Sequence, residues 1–185
     1  MKIGIISDTH GSISAWQKAY QNFLHETELI IHCGDILYHG PRNPLPKGYE
    51  PKRLAEALNS LSKPLIFVRG NCDSEVDQMV LEYPLDSTSS QIITPELKIL
   101  VHHGHHSLPE TQRRKIAATY DLVITGHTHL PGIKKEEDLL FLNPGSPSLP
   151  KNQEQTPTIA ILETENKEIL IWNIENGKQV SREII

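Results

Sequence analysis

Cysteine is scarce in this sequence, long apolar runs are missing, and basic residues are outnumbered. The two cysteines, Cys33 and Cys72, are too few to form a disulfide framework in a chain of 185 residues. No stretch approaches the ~20 apolar residues that cross a bilayer. The N-terminal segment lacks the apolar core and the small-residue cleavage site of a signal peptide. We therefore expect a cytoplasmic protein whose thiols stay reduced.

The charge balance restricts the class of partner. Acidic residues outnumber basic ones by 23 to 18, which gives a formal net charge of −5. This balance argues against a nucleic-acid coat and a polybasic membrane binder, so we expect no membrane partner and no stable nucleic-acid complex. The length fits one domain that buries its own core. We assign residues 1–185 to that domain, with a Pro/Gly-rich insertion loop at about 36–50.

The first half of the sequence alternates short apolar runs with amphipathic segments. The patterns predict strands at 2–7, 28–33 and 64–69, and helices over about 13–25 and 51–61. Ser12 is the expected cap of the first helix, and Pro51 suits the first turn of the second. This β-α-β-α-β order implies a parallel sheet that helices cover.

The second half changes to the patterns of antiparallel strands. A hairpin is predicted over 91–94 and 97–102, then a helix over about 109–118 and a strand at 121–125. Strands at 139–142, 157–163, 168–174 and 179–184 predict an antiparallel meander, whose last turn holds Asn176-Gly177. Two packed sheets with outer helices fit this order of elements.

Residues of metal-binding type follow five of the predicted strands. The segments are Asp8-Thr9-His10, Gly34-Asp35, Gly70-Asn71-Cys72-Asp73, His102 to His106, and Gly126-His127-Thr128-His129. Sites in open α/β sheets lie at the carboxyl ends of strands, so these segments can converge on one cleft. Each segment alone is more often a polar turn or a packed histidine. Together, each after a strand, they predict a metal centre.

In chain order, the motifs Asp-x-His, Gly-Asp, Gly-Asn-x-Asp, His-Gly-His and Gly-His-x-His resemble the calcineurin-like metallophosphoesterase superfamily. The segments that begin at His39, Gly70 and Asn143 are similar to the bacterial YfcE-type phosphodiesterases. The resemblance implies the family's four-layer α/β/β/α sandwich, in which two mixed sheets are flanked by helices. It also implies a two-metal phosphodiesterase in which a metal-bound hydroxide attacks a small phosphodiester.

The family motif also implies which residues bind the two divalent ions. One ion would be held by Asp8, His10, Asp35 and His129, and the other by Asp35, Asn71, His103 and His127, with Asp35 as the bridge. Nitrogen and oxygen donors suit several divalent transition metals. We favour manganese, and nickel, cobalt, iron and zinc are the alternatives. Two carboxylates against two divalent ions leave a surplus positive charge, which a hydroxide and a singly charged diester would balance.

Cys72 stands where many family members have a histidine that protonates the leaving group or contacts the phosphate. A free thiol titrates near ~8.5 and is a poor acid toward an alkoxide, so His105 is the substitute candidate, with Asp73 as its orienting partner. The role of Cys72 stays open between catalysis and the filling of space beside the metals. Arg42 is either a bidentate donor to the substrate phosphate or a solvated surface arginine.

Two other functions stay open on the sequence alone. The metallophosphoesterase-like subunit of the eukaryotic retromer coat is a non-catalytic protein-interaction scaffold of this fold, although a scaffold is free to lose ligands and none is missing here. A DNA exonuclease of the superfamily would need a further DNA-binding domain and a basic surface. The meander and the insertion loop are candidate surfaces for a homo-oligomer.

Overall fold

Two β-sheets lie face to face in the computed structural model of the chain, which describes residues 1–136 and 139–185. The strands are β1 (Lys2–Ile6), β2 (Leu29–His32), β3 (Leu65–Phe67), β4 (Ser89–Ile93), β5 (Lys98–His102), β6 (Leu122–Ile124), β7 (Gly132–Glu136), β8 (Leu139–Asn143), β9 (Thr158–Glu163), β10 (Glu168–Asn173) and β11 (Gln179–Ile184). The first sheet has the order β11-β10-β9-β1-β2-β3, and the second has the order β4-β5-β6-β8-β7.

The helices are α1 (Ile13–Asn22), α2 (Pro51–Asn59), α3 (Glu75–Gln78) and α4 (Glu110–Ala117). The predicted cap of α1 is confirmed, because the Ser12 side chain accepts the Ala15 N–H at 3.2 Å. The prediction that this helix continues to residue 25 is wrong. Phe23 leaves the helical region at φ −141°, and a short 3₁₀ turn follows it. Among the described residues, no helix is long and apolar enough to span a membrane.

The first three strands pair in parallel, as the β-α-β-α-β order predicted. Because α1 and α2 form the crossovers, the carboxyl ends of β1, β2 and β3 meet at one edge of the sheet. Residues 36–50, all of them described, run as an irregular loop that is tied to α1 by a bridge between Ser12 and Tyr49. The insertion therefore lies beside the carboxyl ends of the strands.

The meander of β9, β10 and β11 is antiparallel and completes the first sheet. The strand predicted at 139–142 does not belong to it and lies instead in the second sheet as β8, parallel to β6. Its Leu140 and Leu142 are buried in the core between the two sheets, which explains the assignment. The sequence patterns missed β7, which is an edge strand. Its consecutive lysines, Lys134 and Lys135, interrupt the alternation of apolar and polar residues by which a strand is predicted.

Alternation along the strands divides the core into layers. On β1, Ile3 and Ile5 face the second sheet, whereas Ile6 packs with Trp16 of α1. On the far side, Val123 of β6 packs under α4. The order of layers is therefore α1/α2, first sheet, second sheet and α4, and the predicted four-layer α/β/β/α sandwich is confirmed.

The core between the sheets gives a stability prediction. Ile5→Ala should lower the free energy of unfolding by about 2–5 kcal/mol, because Ile5 is 0% exposed and its loss leaves a cavity. Ile93→Ala is the matched control, since Ile93 on β4 is 72% exposed and should cost under about 1 kcal/mol. Urea unfolding followed by circular dichroism measures both. Equal losses in the two variants would contradict this assignment of the core.

Candidate metal centre

Donor side chains from the loops after β1, β2, β3, β5 and β6 lie close together. They adjoin a cleft of about 860 Å³, which residues of the loops after β2, β3 and β6 help to line. The loops after β1 and β2 are joined by backbone hydrogen bonds, from the Asp8 N–H to the Gly34 carbonyl and from the His10 N–H to the Asp35 carbonyl, each 3.0 Å long. The loops after β5 and β6 are joined in the same way by the Gly126 N–H and the His103 carbonyl. The convergence predicted from the five motifs is thus present in the fold.

An unusual backbone conformation marks these loops. Five of the predicted ligands have positive φ angles, namely Asp8 (55°), His10 (46°), Asp35 (57°), His127 (68°) and His129 (59°). Residues other than glycine rarely adopt this left-handed region. Each such residue costs on the order of 1–3 kcal/mol and persists only where its surroundings hold it. The concentration of strain in one place indicates that the side-chain directions are under functional constraint.

The first cluster of donors comprises Asp8, His10 and His129. His129 Nε2 lies 3.3 Å from Asp8 Oδ1, and His10 Nε2 lies 3.8 Å from the same oxygen. The two Nε2 atoms are 3.2 Å apart. The Nδ1–H of His10 donates to the Tyr38 carbonyl at 2.7 Å, and that of His129 donates to the Leu149 carbonyl at 2.6 Å. The Nδ1 atoms are thus engaged with carbonyls, and the two Nε2 atoms lie side by side where a shared cation would stabilise them.

The two carboxylate oxygens of Asp8 have different surroundings. Its Oδ2 accepts the Ser7 hydroxyl at 2.6 Å and the His127 backbone N–H at 2.9 Å. Its Oδ1 is buried and, within the described part of the chain, has no hydrogen-bond partner. A buried carboxylate oxygen without a partner is costly, so Oδ1 has the surroundings of a metal ligand.

The second cluster comprises Asp35, His103 and His127. Asp35 Oδ1 lies 3.4 Å from His103 Nε2, while Asp35 Oδ2 lies 3.8 Å from His10 Nε2 of the first cluster. Each oxygen of Asp35 thus faces one cluster. His103 Nδ1–H donates to the Cys33 carbonyl at 2.6 Å, which leaves Nε2 free to bind a metal. Asn71 lines the same cleft.

The titration of this cluster follows from burial and neighbouring charge. Burial opposes ionisation of Asp35, but contact with His103 outweighs it and lowers the pKa of the carboxyl. Burial likewise disfavours charge on His103, yet Asp35 and Asp8 raise the pKa of the imidazole to about 9. His103 is therefore protonated at neutral pH without metal, and a cation that binds its Nε2 must displace that proton.

The residues present fit a pair of divalent cations. The donors are carboxylate oxygens and imidazole nitrogens, and two of these donor atoms, Asp8 Oδ1 and His103 Nε2, are buried without a hydrogen-bond partner in the described residues. Nitrogen and oxygen donors of this kind suit first-row transition metals. The charge of the buried carboxylates also favours cations at this point.

Comparison with known proteins agrees with this geometry. The calcineurin-like phosphoesterase superfamily domain matches residues 1–167. The chain belongs to the calcineurin-like phosphoesterase superfamily. It is 40% identical over 152 residues to phosphodiesterase YfcE of Escherichia coli, which covers 82% of each chain. It is 33% identical over 176 residues to phosphodiesterase MJ0936 of Methanocaldococcus jannaschii, covering 91% of this chain and 96% of the relative. The solved structure of the Escherichia coli YfcE phosphoesterase superposes over the full length of both chains with a TM-score of 0.87 and 32% identity.

In this superfamily member, Asp73 has a different role from the one expected. Its Oδ2 accepts the backbone N–H groups of Asp35 and Gly70 at 2.8 and 2.7 Å, and its Oδ1 accepts that of Ile36 at 2.7 Å. These bonds occupy both oxygens, so Asp73 holds the loops after β2 and β3 together rather than orienting His105. The side chain acts on Asp35 through the backbone.

The other candidate catalytic residues lie next to the clusters. His105 is adjacent to the second one, since its ring centroid is 5.4 Å from that of His103 and 6.2 Å from that of His127. The Cys72 thiol groups with His10 and Asp35 as a further set of potential donors. Burial, and next the charge of Asp35, raise the pKa of Cys72 to about 12. In the metal-free protein this thiol is therefore neutral.

Two cationic side chains line the cleft. One is Arg42 of the insertion loop, and the other is Lys151, which sequence reasoning missed. Both are exposed, so they are free to turn toward an anion. Sequence reasoning also missed Ser146 and Ser148, whose hydroxyls donate to the Asp8 carbonyl at 2.8 and 2.9 Å. The same loop supplies the Leu149 carbonyl that accepts the His129 Nδ1–H.

A buried histidine, His32, also supports the loops. Thr9 Oγ1–H donates to the Ile36 carbonyl at 2.9 Å, so His32 Nε2–H must be the donor to Thr9 Oγ1, also at 2.9 Å. His32 Nδ1 then accepts the Gly34 N–H at 3.3 Å. Burial lowers the pKa of His32 to about 3, which keeps it neutral. One ring thus links the loops that carry Asp8 and Asp35.

The close approach of Gly126 to Asp8 gives a testable prediction. A Cβ on Gly126 would lie 1.9 Å from Ser7 Oγ and 2.8 Å from Asp8 Oδ2, so Gly126→Ala must break the contact that orients Asp8. We expect at least tenfold weaker manganese binding in calorimetric titration, together with a lower Tm. Gly132→Ala is the matched control, because nothing lies within 4 Å of its added Cβ. Unchanged manganese affinity in Gly126→Ala would contradict the assignment of Asp8.

Proposed function

We propose that this protein is a metal-dependent phosphodiesterase that uses two divalent ions to hydrolyse small phosphodiesters. The observation that carries the proposal is the pair of donor clusters on either side of Asp35, with buried donor atoms that have no other partner among the described residues. The names of the relatives from Escherichia coli and Methanocaldococcus jannaschii, both phosphodiesterases, support the same activity.

The ligand assignment follows the two clusters. Asp8, His10, Asp35 and His129 would hold one ion, and Asp35, Asn71, His103 and His127 the other, with manganese favoured for both. When bound, such a pair supplies an activated water near neutral pH and neutralises charge on the phosphate. Asp8 and Asp35 offset half of the four positive charges, which leaves room for a singly negative diester and one further anionic ligand.

The chain's own residues would bind and orient the substrate. Arg42 and Lys151 are the cationic side chains at the cleft, and an arginine can donate two parallel hydrogen bonds to a phosphate. Asp73 fixes the backbone of Asp35 through its three amide contacts. These groups position the diester without taking part in proton transfer.

His105 is the proposed donor of a proton to the departing oxygen. Its Nδ1 is buried and, within the described chain, has no hydrogen-bond partner. Burial, followed by the neighbouring His106, lowers its pKa, which makes the charged ring a stronger acid. The neutral Cys72 thiol fills space beside Asp35. We place the enzyme in the cytoplasm, in line with its two free cysteines.

A non-catalytic scaffold is the alternative that the fold allows. A scaffold would not require strained ligand conformations or tautomers fixed by backbone carbonyls, and both are present here. These features hold donor atoms in place, and they do not shape the outer surface on which a scaffold would bind its partner. They favour the enzyme.

Metal removal tests the proposed activity. Protein stripped with a chelator should lose hydrolysis of bis(4-nitrophenyl) phosphate, and manganese should restore it, with the monoester 4-nitrophenyl phosphate cleaved at least tenfold more slowly in kcat/KM. Asp8→Asn should stay inactive when manganese is added, whereas Asp86→Asn, an exposed carboxylate, should behave as wild type. Undiminished turnover in metal-free protein would refute the proposal.

Leaving-group dependence tests the assignment of His105. His105→Ala should lower kcat/KM on diphenyl phosphate by roughly 10²-fold or more, since general acid catalysis supplies about 10²–10⁴-fold. It should change the rate on bis(4-nitrophenyl) phosphate far less, because nitrophenolate leaves without a proton. Cys72→Ser should retain most activity on both substrates, and His25→Ala, an exposed histidine, is the control. Equal losses on both substrates in His105→Ala would exclude it as the acid.

A further inference from the structure

A second cavity, of about 500 Å³, lies beside the catalytic cleft. It is bounded by the insertion loop, α2 and α3, and its walls are mainly apolar and aromatic. The residues that form these walls include Leu37, Tyr38, Tyr49, Ala55, Val76 and Val80. Its volume falls within the range of about 300–1,000 Å³ that is typical of small-molecule sites.

This apolar cavity and the cleft share a wall. Tyr38 lines both the cleft and the cavity. Its backbone carbonyl also accepts the His10 Nδ1–H at 2.7 Å. On the other side, Ser74 lines the cleft and Asp77 lines the cavity, and the Ser74 N–H donates to Asp77 Oδ2 at 2.7 Å. The cleft and the cavity are therefore neighbours, and Tyr38 belongs to the lining of both.

The chemistry of the cavity differs from that of the cleft. The cleft carries Arg42, Asn43 and Lys151, which suit an anionic phosphate. In the cavity, the Asn59 amide already donates to the Val80 carbonyl at 2.8 Å and accepts the Glu82 N–H at 3.0 Å. The lining also includes the charged residues Lys52 and Glu56, both of which are exposed on α2. The remaining wall is apolar and aromatic, and tyrosine rings pack well against aromatic groups.

We propose that the cavity binds a planar aromatic arm of the diester substrate, namely the arm that stays on the phosphate when the other departs. This inference rests on the proposed phosphodiesterase activity, and it names the substrate class as diesters with an aromatic ester group. A diester at the metal clusters must direct its retained arm away from the charged cleft, and the shared wall at Tyr38 leads to an apolar space of suitable size.

Two substrates with the same leaving group test the proposal. Bis(4-nitrophenyl) phosphate carries an aromatic retained arm, and methyl 4-nitrophenyl phosphate carries a methyl group in its place. Ala55→Phe fills the cavity from α2, and Val76→Glu places a charge at its mouth, where Val76 is 66% exposed. Val180→Glu is the matched control, since Val180 is 47% exposed on β11.

With manganese present, both cavity variants should lower kcat/KM on the aromatic diester about tenfold, mainly through KM, and change the methyl diester less than twofold. The control should change neither. Binding of diphenyl phosphate to metal-free protein, followed by saturation-transfer NMR, should weaken in Val76→Glu and not in Val180→Glu. Because Val76 is a surface residue, this variant keeps the test valid if Ala55→Phe fails to fold.

The outcomes separate the two proposals. If the wild-type protein with manganese hydrolyses neither diester, the proposed function fails. If both diesters are hydrolysed and the cavity variants affect them equally or not at all, the cavity proposal is overturned. If Val76→Glu instead converts a dimer to a monomer in sedimentation and lowers both rates together, the cavity is an interface between copies of this chain, which also overturns it.

Discussion

Two carboxylates buried at adjacent strand ends impose the constraint on which the rest of the structure depends. Asp8 is 0% exposed and Asp35 is 2% exposed, and burial of unpaired charge is among the most costly events in folding. The His103 ring is one cationic partner, since the two carboxylates raise its pKa to about 9. The imidazoles of His10 and His129 instead donate their Nδ1 protons to backbone carbonyls. In the proposed function, a pair of divalent cations balances this charge.

The surrounding structure serves to hold these carboxylates in place. The backbone is left-handed at five of the proposed ligands. Glycines allow the loops to approach closely, since a Cβ on Gly70 would lie 2.2 Å from Asp35 Oδ1. Asp73 and His32 then fix the loops by side-chain contacts to the backbone. The cost of this strain is offset by the packed sheets beneath, whose inward isoleucines are fully buried.

Sequence patterns predicted the ligand segments because each motif is local and directly follows a buried strand. Parallel pairing of β1, β2 and β3 then brings the segments together, since it fixes where their carboxyl ends lie. The role of Asp73 could not be predicted, because its three donors come from two loops that meet only in the folded chain. Sequence patterns also could not predict which sheet contains β8. An apolar strand can belong to either sheet, and only its pairing with β6 in the folded chain decides between them.

Asp35 as the bridge between two metal ions is the central claim of this account. Crystals grown with manganese and measured at its absorption edge test it most directly by anomalous scattering. The account predicts two peaks in the cleft, one beside Asp8, His10 and His129, the other beside His103 and His127, with one Asp35 oxygen toward each. A single peak, or two peaks of which neither contacts Asp35, would contradict it.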